Sequence, residues 1–314
     1  MALEIKQAKR ELVFTKIALL GPSGSGKTYS ALKLATGMAK ELEPILKRTP
    51  KILMLNTESS RGLYYADEFT YDIADIQAPH YPEKYADSID EAVKSGYDIL
   101  IMDSTSHEWE GRGGCLNLQQ LAGGTYQAWA KVTPRHDAFI LSIADSPIHI
   151  IATMRGKDQY EMEKSDDGKI NVKKLGVGAI QRNNFEYEFT LTFLLDQIDN
   201  HAVAQKDNTH LFEHEGRILL KEDHGKQLIK WANSGEGYTP RVKKNNDESE
   251  AQLSTEGAKT KDLRTQIKTL YTNNPDMQEK FKSLFDEIGN PNDTKDIAVL
   301  KLVLEGMTKI KNGE

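Results

Sequence analysis

The sequence Gly21-Pro22-Ser23-Gly24-Ser25-Gly26-Lys27-Thr28 limits what this chain can fold into more than any other part of it. It completes the phosphate-loop pattern G-x-x-x-x-G-K-[ST], in which the backbone N–H groups of a glycine-rich turn surround the phosphates of a nucleotide. An apolar run over 17–20 precedes the loop, and a helical pattern starts after it. A strand, a loop and a helix in this order predict a binding site for a nucleoside triphosphate.

Each residue type in the loop has its own predicted task. Lys27 is expected to neutralise the β- and γ-phosphates and to take part in catalysis, and Thr28 is expected to hold Mg²⁺. ATP and Mg²⁺ are therefore the cofactors that we expect. The predicted nucleotide-binding residues are Gly21, Pro22, Ser23, Gly24, Ser25, Gly26, Lys27, Thr28 and Tyr29.

Two carboxylates complete the predicted site. Asp103 ends a buried apolar strand and is expected to orient the magnesium ion, as the corresponding aspartate does in phosphate-loop enzymes. Hydrolysis also needs a group that activates water, and many such ATPases place a glutamate directly after this aspartate, where this chain has Ser104. Glu58, which follows the apolar run of the preceding nucleotide-site strand, is the candidate general base. Glu108 and Glu110 are weaker alternatives.

Short β-rich runs alternate with helical segments up to about residue 232, which predicts an α/β fold: a mostly parallel sheet flanked by helices. We predict an ATPase domain over 1–232, a flexible linker over 233–258 and a small three-helix domain over 259–314. The predicted strands are Lys16–Leu20, Lys51–Thr57, Phe69–Ile76, Tyr97–Asp103, Ile148–Met154, Phe189–Leu195 and His201–Gln205. The predicted helices are Thr28–Leu42, Pro82–Lys94, one within 116–131, Pro134–Ala144, Lys226–Ala232, and three at about 260–272, 276–288 and 294–311.

Composition excludes several classes of protein. The net charge of −6 argues against a chain that wraps nucleic acid through overall charge, so any DNA contact must be local. No run approaches the ~20 apolar residues of a membrane span, and the first residues lack the apolar core of a signal peptide. We therefore expect a cytoplasmic protein without membrane contact. The single cysteine, Cys115, excludes an intramolecular disulfide and a zinc site built from cysteines.

The arrangement of Glu58 after the second strand and Asp103-Ser104 at the end of the magnesium-site strand resembles that of the RecA-like recombinase ATPases. More narrowly, residues 13–232 resemble the small phage RecA-like ATPases of the Sak-four single-strand-annealing type, which are AAA-domain nucleotide-binding proteins. The shared features are the GPSGSGKT loop and the strand end I-x-T-x-R-x-K, here 151–157. One departure is Thr153, which stands where RecA proteins carry a glutamine.

The resemblance implies a Mg-dependent ATPase that acts on single-stranded DNA in phage recombination, annealing or replication in the bacterial host cytosol. It implies mobile DNA-binding loops over 105–126 and 156–184, and a homo-oligomer. Arg155 is a candidate catalytic residue. Arg155 and Lys157 are each expected to contact the γ-phosphate in cis, the nucleotide of a neighbouring subunit, or the DNA backbone. The C-terminal helices are expected to bind a single-strand-binding or replication protein.

Two other functions stay open at this point. One is a nucleotide-gated loader or interaction module, in which the C-terminal helices bind a partner and the core acts as a switch. The other is a small-molecule phosphotransferase. Kinases of this fold usually add an arginine-rich lid over both substrates, and no such lid is evident in the sequence.

Overall fold

The computed structural model describes residues 7–164, 170–183, 185–235, 263–288, 291 and 297–312. The chain divides into two compact units, Met1–Thr239 and Pro240–Glu314, and each is described by itself. Among the described residues, no helix is both long and apolar enough to span a bilayer. Of the predicted linker, residues 236–258 lie outside the described residues.

The first unit alternates strands with helices, as the sequence pattern predicts. Its strands are β1 Lys16–Gly21, β2 Ile52–Asn56, β3 Asp72–Asp75, β4 Ile99–Asp103, β5 His149–Lys164, β6 Ile170–Ala179, β7 Leu191–Leu195 and β8 Ala202–Asp207. Its helices are α1 Lys27–Leu46, α2 Pro82–Lys94, α3 Ser106–Glu110, α4 Cys115–Leu121, α5 Trp129–Asp145 and α6 Glu222–Ala232.

The strands form one sheet in the order β3-β2-β4-β5-β1-β7-β8, with β6 paired to β5 beside this path. From β3 to β7 every neighbouring pair is parallel, and β8 adds an antiparallel edge to β7. Parallel strands need crossover connections, which the helices supply. The predicted α/β class with a mostly parallel sheet is therefore confirmed.

Side-chain alternation along β1 explains why both faces of the sheet are covered. Ile17 and Leu19 pack into a core on one face, and Ala18 and Leu20 pack into a second core on the other. Successive residues of a strand point to opposite faces, so a strand that is apolar at every position must be buried on both sides. The continuous apolar runs of the sequence are thus what places these strands in the centre of the sheet.

The crossing of α1 and α6 depends on two glycines. A Cβ atom on Gly37 of α1 would lie 1.8 Å from the carbonyl oxygen of Glu222, and one on Gly225 of α6 would lie 2.2 Å from that of Leu34. Both distances are far below a van der Waals contact, so neither position accepts a larger residue unless the helices separate. These glycines hold α1, which follows the phosphate loop, directly against α6.

The C-terminal bound predicted for the fifth strand, Met154, is wrong, and the loop expected over 156–184 is a strand pair over much of its described length. Strand β5 continues to Lys164 and pairs with β6 in an antiparallel ladder that joins Gly156 to Ala179 and, farther out, Lys164 to Ile170. The polar residues suggested a loop, but the sequence over 159–163 and 170–172 alternates apolar with polar residues, as a two-stranded ribbon requires. Residues 165–169 lie outside the described part.

Two other predicted boundaries also need correction. The loop expected over 105–126 contains the short helix α3, whereas α4 overlaps the helix predicted within 116–131. The helix predicted to begin at Pro134 begins at Trp129. Proline favours the first turn of a helix, which is why Pro134 looked like a start. Here it lies inside α5, where its ring removes one backbone donor near the N-terminal end.

The second unit contains three helical segments: α7 over 263–273, α8 Gln278–Ile288 and α9 Ile297–Asn312. They share a core in which Ile267, Phe281, Leu300, Val303 and Met307 are buried. The unit therefore has a core of its own.

We expect the Gly37→Ala variant to lose about 1–3 kcal/mol of unfolding free energy, because the added methyl group forces α1 away from α6. In a helix that faced solvent the same change would stabilise the protein by about 0.5–1 kcal/mol. Thr36→Ala, at the neighbouring half-buried position, is the control and should change stability by only a few tenths of a kcal/mol. Urea unfolding of the purified proteins measures both. A Gly37→Ala variant as stable as the parent would contradict the close crossing.

Candidate functional site

The sheet order brings the predicted site residues to one edge. Strand β1 pairs with β5 so that Gly21 lies opposite Arg155, and β2 pairs with β4 so that Asn56 lies opposite Asp103. Since β5 lies between β1 and β4, the carboxyl ends of these four strands are neighbours. In open α/β sheets this edge is where ligands bind. The phosphate loop follows β1, and Glu58 follows β2, so both belong to it.

The phosphate loop has the backbone shape that its glycines predict. Gly24 and Gly26 have φ angles of 82° and 79°, in the left-handed region that glycine adopts without strain. A Cβ atom on Gly21 would lie 2.5 Å from the Ser25 hydroxyl oxygen. It would also lie 2.8 Å from the Leu195 carbonyl oxygen, so only glycine lets the start of the loop pack this closely against Ser25 and β7. These residues fit a bound triphosphate.

The rest of the loop is fixed by short-range hydrogen bonds. The Ser25 hydroxyl donates to the Pro22 carbonyl at 2.9 Å, and the Gln197 side-chain amide, from the turn between β7 and β8, donates to the Ser23 carbonyl at 2.9 Å. The loop is thus held both from within and from the neighbouring turn.

Lys27 points back into this loop. Its ammonium donates to the carbonyl oxygens of Gly21 at 2.8 Å and Pro22 at 2.7 Å. Burial lowers its pKa from the usual value, while Asp103 and Glu58 act in the opposite direction. The positive charge thus lies inside the turn, where it can meet phosphate oxygens.

Asp103 and Thr28 form the candidate magnesium centre. The Thr28 hydroxyl donates to Asp103 Oδ2 at 2.6 Å, and the Thr153 hydroxyl donates to Asp103 Oδ1 at 2.5 Å. Burial raises the pKa of Asp103, and the two hydroxyl donors partly offset this. A carboxylate and a hydroxyl are the oxygen ligands that Mg²⁺ prefers, so the donor set fits this ion. Thr153, at the position where the RecA-like pattern has a glutamine, holds the carboxylate in place.

Glu58 is held by two arginines. Arg155 donates to Glu58 Oε1 through Nη2 at 2.6 Å and Nε at 3.1 Å, and Arg61 donates to Oε2 at 3.1 Å. Burial alone would raise the pKa of Glu58, but the hydrogen bonds and charges of Arg155 and then Arg61 outweigh it and hold the pKa below its usual value. Glu58 is therefore a carboxylate at neutral pH.

The hydrogen bonds of Thr57 explain why Glu58 lies beside Asp103. The Thr57 N–H donates to the Asp103 carbonyl, and the Ser104 N–H donates to the Thr57 hydroxyl, both at 2.8 Å. The Asn56 side chain accepts a bond from the Glu58 N–H at 3.1 Å. The two strand ends are thus joined beyond the sheet ladder, which fixes where the chain turns after β2.

No sequence motif predicts two of the contacts at this site. Thr57 Oγ1 lies 2.6 Å from His107 Nδ1, so His107 adjoins the residue before Glu58. The rings of Tyr65 and Phe69 meet Tyr29 edge to face at 5.5 and 5.4 Å. The predicted nucleotide residue Tyr29 is therefore part of an aromatic cluster beside the loop. Tyr29 is far from Tyr65 and Phe69 in the sequence, and the spacing of these residues does not predict that they are in contact.

Of the two alternative bases, Glu108 is fully buried, and its carboxylate contacts His136 of α5. The other, Glu110, has a carboxylate oxygen 3.8 Å from Arg155 Nη1. Lys157 is exposed. The segment expected to bind DNA, 156–184, also contains lysines at 164, 169, 173 and 174, whose side chains lie outside the described residues.

A family model described as an AAA domain matches residues 14–218 of the chain. The matched region covers β1 to β8 and thus the phosphate loop, Glu58, Asp103 and Arg155. A search of curated proteins finds no match.

We expect Lys27→Ala to abolish binding of a fluorescent ATP analogue, because the cation inside the turn is lost. Lys40→Ala is the matched control: Lys40 lies on the same helix, where its ammonium forms an ion pair with Glu222 of α6. This variant should keep triphosphate binding. Fluorescence titration measures both. Equal affinities for Lys27→Ala and the parent would contradict the assignment of the loop.

Proposed function

Because the chain belongs to this AAA-domain family of nucleotide-binding ATPases, we propose that it is a Mg-dependent ATPase of RecA-like type that acts on single-stranded DNA. The observation that carries the proposal is the contact between Glu58, after β2, and Arg155, on β5, across the end of the intervening strand β4 that carries Asp103. It joins a candidate base, a candidate phosphate-binding cation and the magnesium residue at one edge. By resemblance, the biological setting is phage recombination, annealing or replication in a bacterial host.

In the proposed reaction, the backbone N–H groups of the phosphate loop and Lys27 bind the triphosphate and offset its negative charge. Thr28 and Asp103 would hold Mg²⁺, which supplies charge neutralisation at the β- and γ-phosphates when bound. Gly24 and Gly26, with their left-handed φ angles, give the loop the curvature that turns its N–H groups inward. These groups account for binding and orientation.

Glu58 is the proposed base for the attacking water. Its lowered pKa keeps the carboxylate ionised at neutral pH, as an acceptor of a proton must be. Arg155 holds one of its oxygens, so the same arginine both fixes the base and supplies a positive charge close to where negative charge develops on the phosphoryl group. When a nucleotide binds, Arg155 can exchange this carboxylate for phosphate oxygens, which would release Glu58 towards water.

The proposed DNA contact rests on the continuity of β5. This strand carries Arg155 at the nucleotide edge and then runs, without a break in the described residues, into the ribbon with β6. Lys157 is exposed at the base of the ribbon, and the sequence adds lysines at 164, 169, 173 and 174. Over 156–179 the sequence has five lysines and five acidic residues, so only the later part, with the lysines at 169, 173 and 174, is basic. We propose that this later part contacts the phosphate backbone of a single strand, and that β5 couples it to the nucleotide site.

A nucleotide-gated loader is the second candidate, and the separate core of the C-terminal unit favours it. In that function the helices α7 to α9 bind a partner protein, and the first unit controls when they do so. Homo-oligomer formation and a single-strand-binding or replication protein as partner are parts of the same proposal.

We expect Glu58→Gln to keep ATP affinity but to slow steady-state hydrolysis by about 10²–10⁴-fold, the usual effect of losing a general base. The amide retains the size of the carboxylate but accepts no proton. A coupled phosphate-release assay measures the rate. Unchanged turnover would remove Glu58 from this role.

The pH dependence of kcat/KM tests the role of the Glu58 carboxylate independently. Arg155→Ala should raise the pKa of Glu58, so the acidic limb of kcat/KM moves to higher pH, since a protonated Glu58 cannot accept a proton. Arg61→Ala is the matched variant: the Arg61 side chain is 65% exposed, against 36% for Arg155, and its removal should move the limb less. Identical profiles in all three proteins would contradict the assigned contact.

We expect filter-retained single-stranded DNA to dissociate as salt rises, with a log–log slope that falls by about 0.7 for each phosphate contact removed. The Lys173→Glu/Lys174→Glu variant should reduce both affinity and slope. Lys230→Glu, an exposed lysine of α6 with the same charge change, should do neither. Failure to retain DNA at any salt concentration, with or without ATP, would contradict the DNA part of the proposal.

Removal of residues 245–314 separates the two candidate functions. DNA retention by the shortened chain supports the ATPase that binds DNA through its first unit. If the shortened chain still retains DNA but no longer binds a partner protein that the full chain binds, the result supports a loader function for the C-terminal helices.

A further inference from the structure

Three buried side chains of different chemistry meet on the helices that follow β4. Glu108 of α3, Cys115 of α4 and His136 of α5 are 0%, 0% and 1% exposed. The Cys115 thiol donates to Glu108 Oε1 at 3.0 Å, and His136 Nδ1 lies 3.0 Å from the same oxygen. None of these groups has a task in the proposed ATP chemistry. Their convergence therefore needs a separate explanation.

The three potential ligand atoms have nearly the spacing that a metal ion requires. Sγ of Cys115, a carboxylate oxygen of Glu108 and a ring nitrogen of His136 all lie within 4.8 Å of one another. Around a tetrahedral zinc ion, with bonds of about 2.0–2.3 Å, neighbouring ligand atoms lie roughly 3.3–3.7 Å apart. The two 3.0 Å contacts of Glu108 Oε1 would have to open by a few tenths of an ångström. The Cys115 sulfur and the His136 nitrogen, which lie within 4.8 Å of each other, would have to take up the same spacing.

We propose that Glu108, Cys115 and His136 bind a divalent transition metal ion of the zinc class, with one further oxygen ligand. A thiolate, an imidazole and a carboxylate are the donors found in zinc sites, whereas Mg²⁺ takes oxygen ligands only. Two positive charges on the ion balance the thiolate and the carboxylate, so the buried centre is neutral. Without the ion, the buried side chain of Glu108 relies on its hydrogen bonds with Cys115, His136 and Gln181.

The backbone around Cys115 is built to bring its sulfur to Glu108. A Cβ atom on Gly114 would lie 2.6 Å from the carbonyl oxygen of Glu108 and 2.8 Å from that of His107. Only glycine lets α4 begin this close to the end of α3. These helices have five and seven residues, lengths that are marginal without tertiary support. A metal ion that joins them to α5 would supply that support.

The surrounding contacts orient the proposed ligands. The Gln181 side-chain amide donates to Glu108 Oε2 at 3.2 Å and to the Thr105 carbonyl at 3.2 Å. Such outer hydrogen bonds fix the direction of a ligating carboxylate, as is usual in metal centres. Thr105 lies two residues after Asp103, so the proposed metal centre would brace the chain directly behind the magnesium-site strand.

The proton balance of metal binding follows from the hydrogen bonds. Burial, and then the negative charge of Glu108, raises the pKa of Cys115, so the metal-free side chain is a thiol. On binding, the thiol proton leaves to solvent and a sulfur–metal bond forms. The ring proton of His136 moves from Nδ1 to Nε2, an atom without a hydrogen-bond partner in the described part of the chain. Metal uptake should thus release about one proton per chain and weaken at low pH.

The first test measures metal content by mass spectrometry in the full-length protein, expressed with zinc in the medium and freed of loose ions by gel filtration. We expect about one zinc per chain in the parent and a loss of most of it in Cys115→Ser and Glu108→Gln. His210→Gln, with a side chain 74% exposed, is the control and should keep the metal. A parent without zinc after growth in zinc, or a Cys115→Ser variant that retains it fully, would overturn the proposal.

A second measurement avoids dependence on variants that fail to fold. The parent protein is stripped with a chelator and titrated with Co²⁺, whose bond to a thiolate gives an intense charge-transfer band in the near ultraviolet. Appearance of the band at one equivalent supports the site. A titration without the band overturns it, even if cobalt binds at the stacked rings of His80 and His107, which contain no sulfur. Neither measurement uses ATP, so both are independent of the proposed function.

Discussion

The hydrogen bonds around the Asp103 carboxylate are the interaction on which this structure depends. A buried carboxylate needs a donor for each oxygen, and the hydroxyls of Thr28 and Thr153 provide them from α1 and β5. These bonds join the helix after the phosphate loop to two central strands. Because Thr57 joins β2 to the same strand end, the position of Glu58 follows from that of Asp103. The site is therefore a property of the sheet edge rather than of any single loop.

The sequence predicted features that depend on neighbouring residues better than features that depend on residues far apart in the chain. The phosphate loop and Asp103 depend on local patterns, and both lie where a strand meets the ligand edge, as expected. The course of the chain after Met154 was predicted wrongly because polar composition outweighed a weak alternation, and strand pairing depends on a distant partner. The bond between Glu58 and Arg155 spans two strands and has no local signature.

The same reasoning applies to the glycines and to the buried triad of Glu108, Cys115 and His136. Gly37 looks like an ordinary weak point in a helix until Glu222 of α6 is seen against it. Cys115, as the only cysteine, excluded a disulfide and a zinc site built from cysteines, but gave no sign of the glutamate and histidine that meet it from other helices. Composition counts residue types, but a site depends on which of them the topology brings together.

The inward position of Lys27 has a consequence for the strength of nucleotide binding. Its ammonium already has two carbonyl partners within the turn, so any ligand that attracts it must replace both of them. A bound phosphate chain would have to offer acceptor oxygens in place of these two carbonyls. The net gain from binding is therefore the difference between the two sets of contacts, not the full strength of the new ones.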